Sequence, residues 1–188
     1  MDKLVLDVET KNTFQEVGGQ GNIKGLDVSF VGVYSYNQDK YLSFFEDKFD
    51  ELGSLLQKAG LVIGFSINRF DMPVLEKYFK FSVSKIPTLD LLEEIELAYG
   101  ARISLNVLAE ANLKMKKTLA HGLEAIRLWN EGKLKELEEY CLQDVRITKE
   151  LYELIKRQKY VTIPQKFTGV PQKVPIVLND FALPSTLF

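Results

Sequence analysis

Hydrophobic and polar positions alternate from the start of the chain. In KLVLDVE, residues 3–9, Leu4, Leu6 and Val8 fall on one face and Val5, Asp7 and Glu9 on the other, which is the period of a strand. A glycine-rich stretch with Gly18, Gly19, Gly21 and Gly25 follows without any period and reads as a loop. Residues 28–36 and 40–46 read as two strands around the turn formers Asn37, Gln38 and Asp39, giving an antiparallel meander. Phe49, Leu52, Leu55 and Leu56 carry helical spacing, with Asp47 as the expected N-cap. LVIGF, residues 61–65, is a continuous apolar run, as expected of a strand covered on both faces. Residues 72–79 predict a helix with Pro73 in its first turn, and residues 86–90 a short further strand.

From Leu91 onward the spacing is helical. Ser104 is the expected N-cap of a helix carrying Leu105, Leu108 and Ala109, and a second helix runs through Leu123, Ile126 and Trp129. The longest covers residues 133–158, with Leu134, Leu137, Cys141, Val145, Thr148, Tyr152 and Ile155 along one stripe. Pro164, Pro171, Pro175 and Pro184 then punctuate a segment without period. The organisation predicted is one α/β layered domain over residues 1–160, its mixed sheet antiparallel first and parallel later, followed by an extended arm over residues 161–188.

Composition narrows the setting more than the function. A chain of 188 residues, 46% hydrophobic and 27% charged, is ordinary for a globular protein with a real core. Its longest apolar runs fall far short of a membrane span, and the N-terminus shows no apolar targeting stretch. A single cysteine, Cys141, excludes an internal disulfide and fits a reducing compartment, so a cytoplasmic location away from membranes is expected. The formal net charge of −2 lacks the basic excess usual in binders of duplex nucleic acid, yet two bound divalent ions would move it to +2. Net charge therefore decides nothing.

The acidic residues change the picture. Asp7 and Glu9, two apart on a strand, project from one face; the bland alternative is an exposed strand end. Asp71, after Asn68 and Phe70, sits between a strand and a helix, where an N-cap is the ordinary explanation. Tyr140 and Asp144 are i and i+4 on the long helix and stack on one face, although a tyrosine there is more often a core aromatic. If the four carboxylates converge at about 5 Å, each pair repels by roughly 3 kcal/mol at an effective dielectric near 20. Cations relieve such repulsion, and hard oxygen ligands select Mg²⁺ or Mn²⁺ over zinc, whose usual His and Cys ligands are nearly absent.

DVET at residues 7–10, NRFD at residues 68–71 and YCLQD at residues 140–144 resemble the three motifs of the DEDDy-type 3′→5′ exonucleases, a branch of the ribonuclease H-like superfamily that includes polymerase proofreading domains. The resemblance covers roughly residues 4–154. The sister branch carries a histidine five residues before the last Asp, a position held here by Glu139. The resemblance implies a three-layer ribonuclease H-like fold, a mixed five-stranded sheet with helices on both faces. It also implies a metal-dependent exonuclease acting on DNA or RNA 3′ ends, single-stranded for preference. Asp7, Glu9, Asp71 and Asp144 would hold two Mg²⁺ or Mn²⁺ ions, with Asp7 bridging them, and Tyr140 would orient the attacking water. Thr10 and Asn68 would place the terminal nucleotide.

Two other functions fit the same residues: a non-catalytic ribonuclease H-like module that binds nucleic acid, and a phosphodiesterase acting on small nucleotides. His121, in a loop before a helix, could touch substrate, although a lone loop histidine is usually incidental. The KMKK cluster at residues 114–117 could contact phosphate or be a solvated surface cluster, and the FQEVGG loop at residues 14–19 could shape the substrate cleft. Phe70 reads as a core residue.

Overall fold

The computed structural model describes residues 1–115, 123–165 and 170–180. The alternating segment forms β1 (Asp2–Thr10), the glycine-rich stretch holds a kinked 3₁₀ turn over Gln20–Gly25, and β2 (Val28–Ser35) and β3 (Lys40–Phe44) complete the meander. Then follow α1 (Phe49–Leu56), β4 (Ala59–Gly64), α2 (Asp71–Leu75), β5 (Thr88–Asp90), α3 (Leu91–Tyr99), α4 (Leu105–Leu113), α5 (Leu123–Asn130), α6 (Leu134–Gln158), β6 (Tyr160–Ile163) and β7 (Gln172–Pro175).

Five strands form one sheet in the order β3-β2-β1-β4-β5. β1 pairs antiparallel with β2 and parallel with β4, and β4 pairs parallel with β5, the mixed sheet that the strand and helix order implied. Strand periodicity sorts the side chains as expected. Leu4, Leu6 and Val8 pack with Leu52 and Leu56 of α1 and Val74 and Leu75 of α2. Val5 packs on the other face with Ile63, Leu89, Leu108 of α4 and Val145 of α6. Burying a leucine or valine side chain stabilises the fold by roughly 1.5–3 kcal/mol, so both faces of the central strand anchor it. Helices on both faces of a mixed five-stranded sheet make the three-layer α/β fold.

α6 comes very close to the sheet at one point. Gly32 of β2 lies beside Asp7 in the β1–β2 register, and a Cβ there would sit 3.0 Å from Val145, 3.1 Å from the Cys141 sulfur and 3.2 Å from Leu142. The missing side chain thus sets how near α6 stands to Asp7. Gly32→Ala is expected to destabilise by about 1–3 kcal/mol, the usual effect of overpacking. Urea unfolding measures it; an unchanged midpoint would mean that α6 yields without loss.

Several local expectations need correction. Asp47 does not cap α1: it lies in a 3₁₀ turn over Glu46–Lys48, and the residue at the cap, Lys48, makes no side-chain capping bond. The helix expected over residues 72–79 is α-helical only through Leu75 and tightens to a 3₁₀ turn at Glu76–Tyr78. In α5 the fully buried positions are Ala125 and Leu128, while Leu123 is 66% exposed. Leu134, at the start of the α6 stripe, is also largely exposed.

The proline-punctuated segment contains structure that its pattern hid. β6 and β7 form an antiparallel hairpin whose Val161, Ile163 and Val174, with Ile176 and Leu178 beyond it, join the core beneath α6. Two strands of four residues are too short for a clear period, and Pro175 sits at the outer end of the pairing, opposite Tyr160. Asn112 of α4 clamps the hairpin from the side, donating to the Thr162 carbonyl at 2.9 Å and accepting from its N–H at 2.7 Å. Lys116, Lys117, His121 and Pro184 lie outside the described residues. Among the described residues no helix is long and apolar enough to cross a membrane.

Candidate active site

Two residues apart on β1, Asp7 and Glu9 face α6, as the strand period requires. Glu9 is only 9% exposed and Asp7 half-buried, so the pair is not a solvated strand end. α6 sets Tyr140, Cys141 and Asp144 over them, all buried. Ligand atoms of Asp7, Glu9 and Cys141 lie within 4.8 Å of one another.

Cys141, read from the sequence as one position of an apolar stripe, is the residue on which this side of the site is built. Its thiol donates to both the carbonyl and the Oδ2 carboxylate oxygen of Asp7, each at 3.4 Å. Burial, then the charges of Asp7, Glu9 and Asp144, push the thiol well above its ordinary range. In the metal-free site the thiol proton thus supports Asp7 as a donor. Burial first, then Glu9, Asp144 and Asp7, also raise the Tyr140 phenol far above its ordinary range. Those influences place three acids and the tyrosine in one electrostatic neighbourhood.

Asp71 approaches from the other side. It is the first residue of α2, behind Phe70 at the cap, and makes no N-cap, so the ordinary explanation for an Asp before a helix does not hold. Its side chain is 3% exposed and accepts from the Val8 N–H at 2.9 Å, which ties the start of α2 to β1. Burial and then the charge of Asp7 hold its carboxyl well above the usual carboxylate range. In metal-free protein the unfolded chain releases this proton near pH 4, whereas the folded chain keeps it to higher pH. Folding stability is therefore complete below the ordinary carboxylate range and declines as pH rises towards the raised value. In chelator, wild-type stability relative to Asp71→Asn is expected to fall with pH by up to about 1.4 kcal/mol per pH unit. Urea unfolding at a series of pH values checks this; parallel curves would remove Asp71 as the titrating group.

Two clefts meet at Asp7. One, about 400 Å³, is lined by Asp7 and Asp144 with Phe65, Ser66, Leu92, Arg102, Ile103, Ser104 and Leu105. The other, about 470 Å³, is lined by Asp7 and Asp71 with Val8, Phe14, Gln20, Ile23, Phe65, Ser66, Arg69, Phe70 and Arg102. Asp7 thus stands on a ridge with Asp144 on one side and Asp71 on the other. The glycine-rich loop supplies Phe14, Gln20 and Ile23 to one wall, and Phe14 meets Phe70 edge to face at 5.9 Å between ring centroids. A roomier cleft of about 890 Å³ lies at the opposite end of β1, beside Asp2 and Tyr41, and contains none of these acids.

Thr10 and Asn68 are placed differently. Neither lines the two clefts. The Thr10 hydroxyl donates to the Asn12 carbonyl, and the Asn68 amide is engaged at both ends, donating to Glu93 and accepting from Thr88. The turn that carries Asn68 towards Asp71 is instead governed by Asp90, a residue the pattern marked only as the end of a strand. Asp90 caps α3 by accepting from Leu92 and Glu93, and it also accepts from the N–H groups of Ser66 and Asn68. Ser66 lines both clefts with φ at 72°, in the left-handed region that non-glycine residues rarely occupy. An Asp immediately before the apolar helix start Leu91-Leu92 was the available signal for the cap; its second pair of donors was not visible locally.

The donor set fits hard divalent cations. Asp7 has Glu9 beside it and Asp144 and Asp71 across the two clefts that meet there, and burial followed by the charge of Asp7 holds the Asp71 carboxyl above its ordinary range. Oxygen ligands of this kind suit Mg²⁺ or Mn²⁺. The family model described as the RNase_H superfamily matches residues 4–156.

The chain belongs to the RNase_H superfamily. Membership in the RNase_H superfamily supports a nuclease-type function and a nucleic-acid substrate. Among solved structures, the chain is similar to the family B DNA polymerase from the hyperthermophilic archaeon Pyrobaculum calidifontis, with a TM-score of 0.65 and 20% sequence identity. The match covers 82% of this chain but 24% of that chain, and at this identity it is a likeness of fold. No curated protein matches the chain in sequence.

Proposed function

We propose that the protein is a metal-dependent 3′→5′ exonuclease of the DEDDy type, hydrolysing phosphodiester bonds at single-stranded nucleic-acid 3′ ends with two divalent ions. The observation that carries this reading is the gathering of Glu9, Asp144 and Tyr140 around Asp7 on the α6 side, with Asp71 facing Asp7 across the adjoining cleft. A divalent ion supplies Lewis-acid chemistry: it lowers the pKa of water and offsets charge developing on phosphate. Asp7, Glu9, Asp144 and Asp71 would hold the ions, with Asp7, on the ridge between the clefts, shared by both. Tyr140 keeps its phenolic proton through the neutral range, so it can orient water by hydrogen bonding and is not the base. Cys141 fixes the Asp7 carboxylate through its thiol proton.

Direction is tested with one single-stranded oligonucleotide labelled at either end and incubated with Mg²⁺ or Mn²⁺. The 5′-labelled strand should shorten through a ladder, while the 3′ label should leave at once as a nucleoside monophosphate. Internal fragments as first products, or immediate loss of a 5′ label as mononucleotide, would defeat the proposal.

A further inference from the structure

Four carboxylates around one ridge repel a polyanion, and divalent ions offset that repulsion only where they sit. A phosphate one step along the strand needs a countercharge from the protein itself. Among the described residues two cations line the clefts, Arg69 and Arg102. Arg69 is already committed, its guanidinium lying 3.3 Å from Glu93 and 2.8 Å from Glu96. Arg102 differs. It lies exposed between α3 and α4, and among the described residues it makes no ion pair and no hydrogen bond. It also lines both clefts, together with Asp7, Phe65 and Ser66, so it stands at their junction. A strand passing from one cleft to the other across Asp7 must pass this guanidinium.

We propose that Arg102 grips a phosphate of the substrate strand adjacent to the one being cut, making it a substrate-positioning residue; this rests on the nuclease reading of the same site. The planar guanidinium offers paired N–H donors that match two phosphate oxygens, and among the described residues its side chain has no partner to give up. The sequence offers no period or motif that singles it out, because its role follows from where two clefts meet.

The test compares wild-type protein with Arg102→Gln and Arg102→Lys. Anisotropy of a fluorescent single-stranded oligonucleotide, with Ca²⁺ in place of Mg²⁺ and over a range of salt, gives affinity and its salt slope. Initial rates with Mg²⁺ give kcat and KM separately. Arg102→Gln is expected to raise Kd and KM by about tenfold and to reduce the slope of log Kd against log salt by about 0.7, one phosphate contact on a single strand. Its kcat should change little, and its melting temperature should match wild type because the residue is exposed. Arg102→Lys should restore the slope and part of the affinity, since it keeps charge without the fork. Unchanged Kd and slope in Arg102→Gln beside an active wild type would overturn the role of Arg102 and leave the nuclease reading standing. A fall in kcat with KM unchanged would also overturn it. A wild type that neither binds nor cuts would overturn both.

Discussion

Asp7→Asn is expected to cut an end-labelled oligonucleotide at least about 10³-fold more slowly than wild type, a loss of about 4 kcal/mol of transition-state stabilisation or more. The expectation rests on position. Asp7 is the carboxylate common to the linings of the two clefts, it lies against Glu9 and Cys141, and its charge is the first electrostatic influence on Asp71 after burial itself. Asn keeps an oxygen able to accept from the Cys141 thiol, so the fold should survive the change. Removing the charge also relieves Asp71, and metal-free Asp7→Asn should melt at or above the wild-type temperature. Initial rates in Mg²⁺ beside thermal unfolding in chelator separate loss of chemistry from loss of structure. A residual rate within tenfold of wild type would refute Asp7 as the shared ligand.

Asp90→Ala carries the largest expected cost to stability. The Asp90 carboxylate is 3% exposed and accepts from four backbone N–H groups, at 2.9 Å from Ser66, 3.1 Å from Asn68, 3.0 Å from Leu92 and 3.4 Å from Glu93. Losing an N-cap costs about 1 kcal/mol, and leaving the part-buried N–H groups of Ser66 and Asn68 without this acceptor about 1 kcal/mol or slightly more each, the low end because water can reach them. A total of about 3–4 kcal/mol is therefore expected in urea unfolding, a large share of the roughly 5–15 kcal/mol that holds a domain together. Activity should fall as well, because Ser66 would be free to leave its left-handed conformation and Asp71 follows five residues later. Asp90→Asn keeps one acceptor oxygen and should lose less. A loss below about 1 kcal/mol for the alanine variant would show that α3 and the turn do not depend on this carboxylate.

The two residues represent two kinds of legibility. Asp7 stood out because its surroundings are local: a period of two on a strand places Asp7 and Glu9 on one face, with Val8 opposite, whatever the rest of the chain does. Tyr140 and Asp144 share a helix face for the same reason at i and i+4. Asp90 was hidden because two of its donors come from a turn more than twenty residues earlier. Cys141 looked like any apolar-stripe position until α6 was laid over Gly32 and beside Asp7. The hairpin of β6 and β7 was missed because each strand is too short to show a period, and prolines masked the ends.

By itself, then, the sequence determined the faces: which acids could share a surface on β1 and on α6, the mixed order of strands, and the motif likeness that points to a nuclease. Only the tertiary structure decided that those faces meet. It turned Asp71 from a helix cap into a buried carboxyl bonded to Val8, set a protonated thiol behind Asp7, and opened two clefts on either side of it with Arg102 at their junction. The physical reason is range. Periodicity follows from backbone geometry a few residues at a time, whereas convergence of charge depends on sheet order and on how closely one long helix can approach it.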